Sequence, residues 1–99
     1  MNAPDLPAID GVRVTPLARI ADERGAVLRM LRSDDPHFVR FGEIYFSLVH
    51  PGAVKAWRTH ARTTANFAVP AGTVRLVLFD DRAASTTRGH LMERVIGEA

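Results

Sequence analysis

Lys55, Arg58 and His60 stand close together in one short stretch, GAVKAWRTHARTT, which runs from Gly52 to Thr64 and also carries Arg62. Arg58 and His60 stand two apart, so on a strand they point to the same face. Two histidines at that spacing, with an acidic residue from the next strand, can converge on one metal ion. Here the first position is Arg58, a cation that cannot ligate a metal. Ala65, at the place of the acidic ligand, offers no donor atom. One imidazole is too few, so no metal and no other cofactor is expected. What remains is proton and anion chemistry. An imidazole titrates near neutrality and suits a general base. A guanidinium stays protonated; it can stabilise an enolate or bind phosphate but cannot take up a proton. His60 is therefore either a base or a histidine that hydrogen-bonds inside a barrel wall.

Those residues need strands to aim them. EIYFSLVH, Glu43 to His50, is rich in β-branched and aromatic residues and reads as a strand. Glu43, Tyr45 and Ser47 alternate on one of its faces. Tyr45 could donate to a ketone or stack on a base, or pack beside Trp57. The pair Pro51–Gly52 is a turn, and AVKAW resumes an extended pattern with Lys55 and Trp57 on one face. Asn66 opens NFAV, from which it could reach a pocket or cap a turn. TVRLVLFDD carries the clearest alternation, with Val74, Leu76 and Leu78 on one face and Arg75, Val77 and Phe79 on the other. VRVTPLARI is a shorter extended candidate interrupted by Pro16, DERG is a turn, and AVLRMLR fits strand or helix. DRAASTTRG reads as a loop in which Asp80 and Arg82 form a structural pair at the strand edge, and HLMERVIGE begins a further element. Residues 1–11, with two prolines and a glycine, read as an N-terminal arm. Short segments with turns every ~8–12 residues predict an all-β, mostly antiparallel sandwich or barrel.

Composition bounds the partners. A chain of 99 residues holds one domain with one modest core. Twelve of its 13 basic residues are arginine, but 11 acidic residues nearly balance them and no segment concentrates positive charge. Nucleic-acid binding is therefore not expected. No apolar run reaches the ~18 residues of a membrane span, and the opening MNAPDLPAIDG lacks the basic-then-apolar order of a secretory signal. With no cysteine in the chain, a cytoplasmic location is expected.

The glycine frame sharpens the reading. Gly52, five residues, Arg58, one residue, His60, four residues, Ala65, six residues and Gly72 match the spacing of the first cupin motif, in which positions 58, 60 and 65 would be His, His and Glu. With DERG, GEIYFS, PGAVKAW, NFAVPAGTVRLVLFDDR and STTRG in order, the chain from Ala21 to Glu98 resembles the dTDP-4-dehydrorhamnose 3,5-epimerase family. Those are metal-free cupins that act on nucleotide-linked 4-keto sugars.

The resemblance implies an incomplete cupin-type jelly-roll barrel that binds a dTDP-linked 4-keto sugar, most simply as a homodimer. It places Arg24 where the family's turn arginine grips the diphosphate; the alternative is a solvated turn residue. It places Glu43 and Tyr45 on the wall of the sugar pocket, with Asn66 near it. Lys55 stands where the family has a substrate-contacting arginine, and Arg58 where the family has its histidine base. Relatives that read K-A-W-H-x-H make His60 the second histidine of such a pair. The catalytic candidates are thus His60 and Arg58, and the substrate-binding candidates Arg24, Glu43, Tyr45, Lys55 and Asn66. The family's acid, a tyrosine of the second cupin motif, has no counterpart before Ala99, and Tyr45 is the single tyrosine. Weak or lost epimerase activity, a non-catalytic sugar-nucleotide binder and a structural fragment all remain open at this point.

Overall fold

The computed structural model describes residues 8–98, so most of the expected N-terminal arm, residues 1–7, lies outside the described residues. Four antiparallel strands are present, and no helix among the described residues. They are β1 (Arg19–Asp22), β2 (Gly25–Leu28), β3 (Thr73–Phe79) and β4 (Leu91–Gly97), paired as two separate two-stranded sheets, β1 with β2 and β3 with β4.

The DERG turn forms as its composition dictates. Asp22 accepts the Arg24 backbone N–H on Oδ1 at 2.8 Å, the side-chain-to-backbone turn that aspartate favours. The strands then pair Arg19 with Leu28 through Asp22 with Gly25. Arg29 N–H donates to the Ala18 carbonyl at 3.3 Å and adds a further rung. The ambiguous segment AVLRMLR is thus a strand only as far as Leu28, where β1 supplies a partner. The earlier part of VRVTPLARI, through Leu17, is not in a ladder; Pro16 has no N–H to give one.

The β3–β4 hairpin is the longest regular element, seven residues on each side, with Thr73 opposite Gly97 and Phe79 opposite Leu91. The register puts Val74, Leu76 and Leu78 on one face with Met92 and Ile96. All five are buried or half-buried, and Met92 is 5% exposed. The opposite face carries an Arg75–Glu93 ion pair on a cross-strand diagonal. At the open end of the hairpin, Glu98 N–H donates to the Gly72 carbonyl at 3.0 Å, and Glu98 Oε1 accepts the Gly72 N–H at 2.6 Å. Gly97 takes φ 130° there. A Cβ on it would overlap the Gly72 carbonyl oxygen and lie 2.9 Å from Thr73 Cα, so only glycine fits without displacement.

Three expected strands form no ladder: EIYFSLVH, AVKAW and NFAV. The turn between the first two explains part of this. Ala53 N–H donates to the His50 carbonyl at 2.9 Å, Pro51 holds the second position and Gly52 the third, with φ 80°. That is the arrangement of a type II turn. Its twist splays the flanking arms instead of matching the right-handed twist of a hairpin. Side-chain pattern marks a residue's preference for a strand, but a ladder also needs a partner backbone in register.

By contacts, the chain divides into two units: Leu31–Asn66, and the residues up to Met30 together with those from Phe67 onward. The second holds all four strands and the buried apolar residues Ile9 and Met92. The Leu31–Asn66 unit holds no strand or helix; it has isolated turns, such as Arg32 to Asp35 closed by Asp35 N–H on the Arg32 carbonyl at 3.0 Å, and exposes Phe46 and Leu48 at 89% and 83%.

Candidate functional site

Most of the candidate side chains fall within one unit. Glu43, Tyr45, Lys55, Arg58, His60 and Asn66 all belong to Leu31–Asn66, and all six are exposed. Arg24 belongs to the other unit. Among the described residues, Glu43, Tyr45, Arg58, His60 and Asn66 make no side-chain hydrogen bond to one another. Lys55 differs. Its Nζ donates to Ser47 Oγ at 3.0 Å across the Pro51–Gly52 turn. Ser47 lies four residues before Pro51 and Lys55 four after it, so the turn brings the two together. The spacing was readable in the sequence, but the contact needed the turn to close.

Arg24 is not a free fork. Its Nη2 pairs with Asp22 Oδ2 at 2.8 Å while its side chain stays 83% exposed. This side-chain bond, with the backbone N–H of the same arginine, holds the Asp22 carboxyl below the usual carboxylate range. The remaining guanidinium N–H groups point to no other carboxylate among the described residues. Arg24 lines a shallow groove with Ile20, Asp22, Ala26 and Val27. An anion bound there would meet one arginine already half neutralised by its neighbour.

The densest polar cluster sits elsewhere, in the loop after β3. Asp80 is 3% exposed and accepts five hydrogen bonds. Arg82 supplies three: its backbone N–H at 3.1 Å and Nε at 2.9 Å on Oδ1, and Nη2 at 2.9 Å on Oδ2. Ser85 Oγ and Thr87 Oγ1 each donate to Oδ2 at 2.6 Å. The Arg82 side chain, then Ser85 and Thr87, pull the Asp80 carboxyl far below the usual carboxylate range, because each bond favours the charged form. The cluster also holds the start of the described chain. Arg82 Nη2 donates to the Asp10 carbonyl at 2.7 Å, and Asp10 N–H to Thr87 Oγ1 at 2.9 Å, beside buried Ile9. Every acceptor site of the carboxylate is thereby used within the chain, so Asp80 is a structural hub, in keeping with the expected Asp80–Arg82 pair. The tie to residues 8–10 had no sequence signal, because it joins positions more than seventy apart.

Among the described residues, no group of three His, Cys, Asp or Glu side chains is placed to hold a metal ion. No helix among them is long and apolar enough to cross a membrane.

No family model matches the chain. Individual proteins do. It is 37% identical over 95 residues to the probable low-salt glycan biosynthesis epimerase Agl13 of Haloferax volcanii, covering 94% of this chain and 61% of that protein. It is 33% identical over 90 residues to the spore coat polysaccharide biosynthesis protein SpsL of Bacillus subtilis, covering 91% and 60%. The crystal structure of a dTDP sugar isomerase from Desulfovibrio desulfuricans matches with a TM-score of 0.79 at 39% identity, over 92% of this chain and 58% of that one. The resemblance to dTDP-4-dehydrorhamnose 3,5-epimerase-like proteins read from the sequence therefore holds over almost the whole of this chain. Its fold is all-β and cupin-type, with an incomplete barrel and two small antiparallel sheets among the described residues. The chain spans about three fifths of the length of the curated relatives it matches.

Proposed function

We propose that this protein binds a dTDP-linked 4-keto sugar and belongs to glycan biosynthesis as a metal-free epimerase or isomerase. The observation that carries the proposal is the joint match in sequence and fold to proteins named as a glycan epimerase and a dTDP sugar isomerase. The exposed cations of the Leu31–Asn66 unit support it, since Lys55 and Arg58 suit the phosphates and the enolate of such a substrate. The chemistry is a proton exchange. A base takes the hydrogen from a carbon beside the ketone, the electron pair moves to the ketone oxygen as an enolate, and reprotonation from the other face inverts the centre. Arg58 cannot accept that proton, so His60, two residues on, is the base in this reading, and Arg58 stabilises the enolate. Glu43, Tyr45 and Asn66 contact the sugar and Lys55 the diphosphate, while Arg24 is a diphosphate candidate by the family resemblance alone. A second copy of the chain covers the exposed apolar residues in a homodimer, and the cysteine-free composition suits a reducing cytoplasm.

The test is incubation with a dTDP-4-keto-6-deoxy sugar in deuterated water. Deuterium at C3 or C5, reduced by about 10²-fold in His60→Ala, is the expected result. Absence of exchange ends the catalytic version. The second reading, a non-catalytic sugar-nucleotide binder, is favoured by Arg58 standing at the family's base position. Calorimetric titration with dTDP, alone and after Arg58→Ala, separates the two.

A further inference from the structure

The hydrogen bond between Lys55 and Ser47 reaches beyond the roles assigned above. A lysine ammonium is a point charge on a long flexible stem, and ordering it costs side-chain entropy on binding. An arginine at this place would orient a phosphate through its rigid fork; a lysine has no fork and needs another group to aim it. Here Lys55 Nζ donates to Ser47 Oγ at 3.0 Å. The two residues flank the type II turn closed by Ala53 N–H on the His50 carbonyl. The ammonium has three N–H donors. One is directed to Ser47, which leaves two for an anionic oxygen. The serine O–H stays free to donate to the same ligand. Both side chains are exposed, so neither is held by packing, and a ligand can reach the pair without moving it.

We propose that Ser47 is a positioning residue for Lys55, aiming the ammonium at a diphosphate oxygen of the sugar nucleotide. This rests on the binding role proposed above. Lys55 is the single lysine of the chain, so its Cε carbon gives one isolated resonance by which the contact can be followed without any ligand.

The test uses the full chain, with dTDP as the probe. In calorimetric titration, Ser47→Ala weakens dTDP binding by roughly three- to tenfold, the scale of one hydrogen bond to a charged group. Ser47→Thr, which keeps the hydroxyl, restores affinity to within about twofold. Lys55→Ala weakens binding at least as much, and adding Ser47→Ala to it brings no further loss. The Lys55 Cε resonance becomes more mobile in Ser47→Ala and not in Ser47→Thr. Equal Lys55 mobility in the wild type and Ser47→Ala overturns the positioning role, as does full additivity of the two alanine variants. A wild-type chain that gives no heat with dTDP, with Lys55 still held by Ser47, overturns the sugar-nucleotide reading instead.

Discussion

The loop from Asp80 to His90 and the segment from Glu43 to His60 are both rich in polar side chains, and they use them in opposite ways. In the first, Asp80, Arg82, Ser85 and Thr87 satisfy one another and clamp Asp10. In the second, Lys55 and Ser47 meet while Glu43, Tyr45, Arg58 and His60 face solvent. A side chain whose hydrogen bonds close within the chain stabilises the fold; one left open is available to a ligand. By that criterion Asp80 holds the structure, and the Lys55–His60 stretch stays open to a ligand.

The contrast can be broken most severely at Asp80. Asp80→Ala leaves Arg82 without its carboxylate and two hydroxyls without an acceptor, and a melting temperature lower by on the order of 10 °C in a thermal scan is expected. Hydrogen exchange would show residues 8–12 released along with the loop.

Acid titration attacks the same hub more gently. The folded Asp80 carboxyl lies well below its unfolded value of ~3.9, so its stabilisation is fully present above that value and is lost as pH falls beneath it. The melting temperature should be flat from about pH 5 upward and drop by several degrees below about pH 4, with the drop reduced in Asp80→Asn.

Gly97→Ala tests the same hairpin at its other end. The added methyl meets the Gly72 carbonyl and the backbone must shift, but an open hairpin end can yield by fraying. A loss of roughly 1 kcal/mol in urea unfolding is expected. The smallest effect falls in the other region. Phe46 is 89% exposed, so Phe46→Ser should change the unfolding free energy of the dilute chain by less than about 0.5 kcal/mol. A larger loss would mean that Glu43 to His60 is packed after all.

Much of this was legible beforehand. The DERG turn, the alternation that puts Val74, Leu76 and Leu78 on one face, the Pro51–Gly52 turn and the Asp80–Arg82 pair are all local, set by side-chain period, turn chemistry and short-range hydrogen bonding. The site was legible only as a set of residue types. Lys55, Arg58 and His60 announce anion and proton chemistry, but their spacing does not say that Arg24 is already paired with Asp22 or that Lys55 is held by Ser47. EIYFSLVH shows the limit from the other side, since its strand pattern is clear and no ladder forms.

By itself, then, the sequence determined an antiparallel all-β chain, the turns that punctuate it and a cationic stretch with one residue able to act as a base. Only the tertiary structure decided which strands pair and which polar groups are consumed by the fold. Pairing needs a second backbone in register, and a hydrogen bond such as Asp10 to Thr87 joins residues that no local rule connects.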